Sequence, residues 1–267
     1  MGEASKRARV APAGVGLGAS GLVAAAKAAA DPFDSVAGEE GVEAVRPLTA
    51  GAGGAGGLWY CPASELGQER QQRVFELTKR HMAPIYGKGW RDAAKRRELF
   101  APSARYVVSE GAVGTELLGF VHFRFVVDQG AAVVYVYELQ VAEEARGRGL
   151  GTRLMGLMEA LGARHGLAGV VLTVQHVANP KANAFYRGAL GYAPHPLCPT
   201  QFWKGAADAR GAPAYAILAR WRDSAAVARL EEEARLVAVQ RDEEDGGGGA
   251  GGASPAPTPP RRTTRRR

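Results

Sequence analysis

Residues 144–151 read EARGRGLG and follow, after Ala142 and Glu143, on VVYVYELQV, a run with strand character. Gly147, Gly149 and Gly151 alternate with Arg148 and Leu150 and lie just after Arg146. A turn of this kind, opening a helix, aims several backbone N–H groups at one point at the positive end of the helix dipole. That is chemistry for holding an anion, and side chains at the glycine positions would stand in its way. Two familiar phosphate loops do not fit. A Walker A loop needs Gly-Lys-Ser/Thr, whereas Gly151 is followed by Thr152 and Arg153. The dinucleotide fingerprint needs a sixth-position glycine, and counting from Gly147 or Gly149 reaches Thr152 or Leu154. What remains is Arg-x-x-Gly-x-Gly on Arg146, Gly149 and Gly151, or a plain strand-to-helix turn in which the glycines serve tightness alone.

The elements that must position this turn are legible from periodicity. QERQQRVFELTKRHMAPIY predicts a helix ending at Pro84, and RDAAKRRELF a second, strongly charged one. RYVVSE, ELLGFVHFRFVVD and AAVVYVYELQVA predict a three-strand meander with a turn at Gly130. GLGTRLMGLMEALGARHG carries Leu150, Leu154, Leu157, Met158 and Leu161 at helical spacing, with Gly166 as its stop. AGVVLTVQHV predicts a buried strand, NPKANAFYRGALG a short helix opened by Pro180, and PAYAILAR a last strand. The expected fold class is therefore α/β (α+β): a central mixed, mostly antiparallel sheet flanked by helices.

Composition bounds the rest. Of 267 residues, 36 are glycine and 15 proline, and these gather towards the two ends of the chain. Residues 1–57, rich in Ala and Gly, are expected to be disordered, with retention or removal as a targeting segment left open. The folded body is expected over 58–222, a charged helix over 223–240, and a Gly/Pro linker with an arginine tail over 241–267. No uninterrupted apolar stretch is long enough to span a membrane. Cys61 and Cys198 stand far apart without metal-ligand spacing, which argues against a disulfide scaffold or a zinc site and predicts no metal. The net charge is +7, and the closing RRTTRRR has the makings of a solvated end, a nuclear-import signal or a nucleic-acid patch.

One combination is more specific than its parts. Some thirty residues after the glycine turn come Asn179-Pro-Lys-Ala-Asn-Ala-Phe185-Tyr186 and then Gly191-Tyr192. With both halves present, the chain resembles the Gcn5-related N-acetyltransferases. Within that superfamily FELTKRHMAPIY, LLGFVHFRF, YVYELQV, RGRGLG, LTV and YAIL resemble, in order, the NatD-type N-terminal acetyltransferases over residues 70–220. The resemblance implies acetyl-CoA as cosubstrate and, as substrate, the N-terminal serine of histone four and histone two-A, whose chains begin Ser-Gly-Arg-Gly.

Residue roles follow from that resemblance. Arg146, Gly147, Arg148, Gly149, Leu150, Gly151 and Thr152 would hold the pyrophosphate, and Asn179 would also touch the cofactor. Backbone N–H groups of Leu139, Gln140 and Val141 would face the thioester and pantetheine amides where the strand splays. Glu138 is the candidate base, flanked by Tyr135 and Tyr137; Tyr186 is the candidate acid for the departing thiolate. Tyr86 and Tyr137 would seat the first serine and glycine, Asp128 a following arginine, and Thr173, Tyr135 and Tyr215 further parts of the peptide. Val126 replaces an acidic residue that the family carries, which bears on arginine selectivity. The segment HPLCPTQFWKGAADARG (195–211) departs from the family. An α-amine titrates near 7.7–8.0 against about 10.4 for lysine, so an N-terminal transferase needs only one carboxylate to take the proton. Expected partners are histone tails, with ribosome or nucleic acid through the arginine tail. A monomer without membrane contact, in cytoplasm and nucleus, completes the expectation. Two other readings stay open: a superfamily member acetylating a lysine or a small amine, and a non-catalytic binding module with nucleic-acid-contacting tails.

Overall fold

In a computed structural model of the chain, residues 17–29, 31–33, 45–47, 57–111, 116–205 and 211–246 are described. The arginine tail, the basic opening KRAR and the glycine linkers lie outside them. Two compact units emerge: Met1–Leu172 with Arg220–Ser224, and Thr173–Ala219 with Ala225–Arg267.

The first unit is built on strands β1 (Val45–Pro47), β2 (Gly57–Pro62), β3 (Arg105–Glu110), β4 (Leu117–Asp128), β5 (Ala131–Val141) and, as far as Leu172, β6 (Gly169–Val174). β2 to β5 form an antiparallel meander, β1 pairs parallel with β2, and β5 pairs parallel with β6 through Val133–Val136. β4 and β5 turn over at Gln129 and Gly130, both with positive φ (44° and 73°), the backbone signature of a two-residue hairpin whose twist matches the strands.

Helices α2 (Gln68–Tyr86) and α3 (Asp92–Leu99) belong to one side of this sheet, where Trp59, Tyr106 and Phe120 form a core with Val74, Phe75, Leu77 and Leu99. α1 (Ala19–Ala28) and α4 (Leu150–Arg164) pack on β4 and β5. Leu154, Met155, Met158 and Leu161 of α4 are buried, and Gly162 lies against Val134. On β4, His122 and Phe123 face opposite ways: His122 stacks on Tyr106, and Phe123 meets the Phe33 ring.

Three expectations need correction. The unstructured segment expected through residue 57 contains α1, whose Val23 and Ala26 are buried, and Phe33, whose ring meets Tyr60 and Phe123. LWYCP, passed over as the edge of the body, is β2, with Leu58 to Cys61 buried. The first long helix does not stop at Pro84 but runs to Tyr86. Pro84 gives up the bond its N–H would make to Arg80 O, yet Gly87 (φ 50°) still closes the last turn through its N–H to Ala83 O.

The second unit holds the short helix α5 (Pro180–Ala184) leading into a π-turn at Phe185–Ala189, and strands β7 (Ala193–Pro194) and β8 (Ala216–Trp221), paired antiparallel. It also carries α6 (Ser224–Gly246), longer than the charged helix expected over 223–240. His195 is fully buried and its imidazole is pushed down to about 4 by desolvation.

Candidate active site

β5 carries the site because its alternation is interrupted once. Phe123 pairs with Val136 and His122 with Glu138, so Tyr137 is one extra residue on β5 at a bulge. A bulge re-aims side chains. Here it changes phase, bringing Tyr135 and Tyr137 ahead of it onto the face that Glu138 and Gln140 occupy behind it. The parallel ladder with β6 ends at Val136↔Leu172, so Leu139, Gln140 and Val141 continue past its end while still pairing with β4.

Glu138 is 6% exposed and fully engaged. Its Oε1 accepts from Lys95 Nζ at 2.9 Å and its Oε2 from Gln140 Nε2 at 2.8 Å. Lys95 also donates to Glu98 Oε1 at 2.6 Å. Burial pushes the Glu138 carboxyl above the usual carboxylate range, against the pull of Lys95 and Gln140. For Lys95, burial alone would lower the ammonium, but Glu138 and Glu98 outweigh it and hold Lys95 above its ordinary value. The site thus contains a carboxylate tuned towards neutrality and a fixed cation beside it.

Aromatic rings wall this carboxylate. Tyr106, His122 and Tyr137 stack in sequence at 5.1 and 5.0 Å, and the Arg124 guanidinium lies 4.2 Å over the Tyr137 ring. Tyr135 and Tyr137 are 5.2 Å apart. At the end of α2, Tyr86 is 41% exposed, 6.2 Å from the Trp90 ring and 5.7 Å from Lys95 Nζ. Tyr86, Lys95, Glu138 and Tyr137 are therefore joined by successive contacts through Lys95 and the bulge. Asp128 is not among them. It ends β4, six residues beyond His122, or about 20 Å along the strand.

The glycine turn lies where β5 gives way to α4. Gly147 and Gly149 have φ of 73° and 81°, and a Cβ at either would meet nothing within 4 Å. The left-handed backbone accounts for glycine, and the space in front of the first turn of α4 is open. Arg146 donates from Nε to Val141 O at 3.1 Å and from Nη2 to His81 Nε2 at 2.9 Å, and its Nη1 faces the exposed Glu143 carboxylate at 3.5 Å, so the remaining guanidinium N–H groups reach solvent. A pyrophosphate fits these residues: open N–H groups at a helix start, no side chain in the way, and Arg146 alongside with Arg148 and Thr152.

Four of the expected residues lie in the second unit. Asn179 caps α5, its Oδ1 accepting from Ala182 N at 3.1 Å. Tyr186 is buried against Phe185 and Tyr192. Thr173 is exposed, and burial raises the half-buried Tyr215 phenol. Within 195–211, Cys198 is buried and accepts from Ile217 N at 3.2 Å, so that segment is tied to β8. Sequence reading missed Lys95, Gln140 as a side chain, and His81. Lys95 is hidden among the charges of a surface-like helix, and His81 is a single histidine on α2; only tertiary contact reveals them. Among the described residues no His/Cys/Asp/Glu cluster suited to a metal occurs, and no helix is long and apolar enough to cross a membrane.

The sequence profile described as Acetyltransferase (GNAT) family matches residues 72–192. A chain of the NatC complex, solved with a Gag peptide and CoA, is similar at 14% identity, covering 62% of this chain and 99% of that one, with a TM-score of 0.45. NAA60 of Arabidopsis thaliana, solved with a bisubstrate analogue, is similar at 15% identity over 61% of this chain and 97% of its own, TM-score 0.43. An acetyltransferase from Thermus thermophilus shares 22% identity over 62% of this chain and 97% of its own, TM-score 0.42. The six-strand order around the β5 bulge, the helix-opening glycine turn and the profile match converge: this chain has the GNAT fold, and its residues 72–192 match the profile of the GNAT acetyltransferase family.

Proposed function

We propose that the chain is a protein N-terminal acetyltransferase of NatD type, acting on the Ser-Gly-Arg-Gly termini of histone four and histone two-A. The observation that carries this reading is the buried Glu138 carboxylate, set by the bulge beside Tyr137 and within one ion pair of the exposed Tyr86. Acetyl-CoA supplies an acetyl group on a sulfur leaving group. The protein's share is to orient an amine and take its proton. As the N–C bond forms and the C–S bond breaks, the amine loses a proton to Glu138, directly or through one water. A carboxylate raised by burial is a better acceptor than an exposed one, and an α-amine, unlike lysine, is substantially neutral near pH 8. Tyr86 and Tyr137 seat the first residues. Asp128 meets a basic side chain further along the peptide, because about six extended residues separate it from the Glu138 end of the strand. Histone tails are the partners under this reading, in cytoplasm and nucleus.

The test is acetyl transfer from acetyl-CoA to Ser-Gly-Arg-Gly-Lys and to the same peptide blocked at its N-terminus. Reaction of the free terminus alone supports the proposal. Modification of both peptides shows lysine chemistry, and reaction of neither removes the histone substrate.

A further inference from the structure

A chain of hydrogen bonds runs through the first unit from the glycine turn to Glu138, and His81 is its middle member. Arg146 Nη2 meets His81 Nε2 at 2.9 Å, His81 Nδ1 meets Gln140 Oε1 at 2.8 Å, and Gln140 Nε2 meets Glu138 Oε2 at 2.8 Å. The two ends fix every proton between them. A guanidinium only donates, so His81 Nε2 accepts, and the imidazole is neutral with its hydrogen on Nδ1. An ionised carboxylate only accepts, so the Gln140 amide turns its NH₂ to Glu138 and its oxygen to Nδ1–H. Donor follows donor in one direction, with no member free to choose. Gln140 is 6% exposed, and a buried amide in such a chain has no water to exchange for its partners.

We propose that His81 is a positioning residue that couples the anion-holding turn to the Glu138 carboxylate. Resting on the acetyltransferase reading of the site, this makes the order of Arg146 the quantity shared by both ends. Arg146 is half exposed and bonded to Val141 O and His81. An anion bound at the turn orders its guanidinium, and the order passes through His81 and Gln140 to the carboxylate. Reciprocity then requires a peptide held at Glu138 to tighten cofactor binding by the same factor. His81 acts through its two neighbours, Arg146 and Gln140.

Two measurements test this. Long-range ¹⁵N NMR of the full chain at pH 8, with His81 assigned from the His81→Gln variant, should show Nδ1 protonated and Nε2 bare. Adding coenzyme A alone should move the His81 ring signals. Calorimetry should show coenzyme A tightening Ser-Gly-Arg-Gly peptide binding by about five- to tenfold. That ratio should fall to within about twofold in His81→Leu and be largely kept in His81→Gln, whose amide offers one donor and one acceptor. An Nε2–H tautomer, or ring signals indifferent to coenzyme A, would overturn the proposal; so would an unchanged ratio in His81→Leu. If His81→Leu does not fold, the tautomer and the coenzyme A response of the unaltered protein decide. Failure of the histone reading looks different, since the peptide then neither binds nor reacts while both NMR observations still stand or fall alone.

Discussion

Removing the Lys95 ammonium while keeping its length, as Lys95→Met, isolates what that cation does for Glu138. Two unit charges about 4 Å apart at an effective dielectric of about 20 attract by about 4 kcal/mol. Lys95 lies 2.9 Å from Glu138 and 2.6 Å from Glu98 and attracts each with its whole charge. Loss of the ammonium removes that attraction and should raise the Glu138 carboxyl further above the usual carboxylate range. The assay is the pH profile of kcat/KM for a peptide with a free N-terminus, at constant ionic strength. Since the peptide's amine titrates alike with both proteins, the difference between the profiles reports the enzyme's own group. The acid limb set by Glu138 should move to higher pH in Lys95→Met, with activity converging at high pH. The stability signs are fixed as well. Glu138 and Lys95 both bind their protons more tightly than in the unfolded chain. Each therefore favours the fold at low pH and loses that contribution as pH rises through its folded value. A thermally weakened Lys95→Met whose acid limb has not moved would refute the electrostatic argument and leave Lys95 a packing residue.

Glu138→Gln should lower turnover by about 10²-fold or more, the scale of a positioned acid–base group, with coenzyme A affinity unchanged by calorimetry; near-normal turnover would transfer the role elsewhere. Gly149→Ala places a side chain at φ 81°, a strain of about 1–2 kcal/mol, and should weaken coenzyme A binding by about tenfold in the same assay. Glu110 is fully buried and held by Arg70 at 2.8 and 3.0 Å and Arg73 at 3.4 Å. Glu110→Gln should therefore cost about 2 kcal/mol in urea unfolding, below the range for a sealed pair because both arginines reach solvent. Asp128→Asn should leave a four-residue peptide unaffected and slow longer basic peptides a few-fold, measured as kcat/KM.

How far the chain could be read without its structure follows from where each signal is stored. The meander and α4 were legible because one face of each is buried and the period shows it, as in Phe123 to Val126 or Leu154 to Leu161. The glycine turn was legible because anion-holding backbone constrains residue type locally. β2 was not, since Leu58 to Cys61 form an unbroken apolar run that carries no period. α1 was hidden by its alanines: Val23 and Ala26 are its only buried side chains, and burial of an alanine leaves almost no pattern. Lys95 and His81 acquire their places through partners 43 and 59 residues away, information that no local window holds.

The bulge at Tyr137 explains why the most informative stretch was also misleading. Strict alternation along YVYELQV puts Tyr135, Tyr137, Leu139 and Val141 on one face and Glu138 and Gln140 on the other. Such a strand would separate the ring that seats a substrate from the carboxylate that deprotonates it. One extra residue opposite His122 cancels the alternation at the point where it would do harm. It leaves Leu139 and Val141 to continue one face while Glu138 and Gln140 join the tyrosines on the other. The same interruption lies just beyond the end of the β5–β6 ladder at Val136, so a single irregularity both gathers the side chains and marks where the strand edge leaves the sheet. Restoring the alternation would therefore disable the site without touching any residue that does chemistry, and the carboxylate would still be present, facing the wrong side.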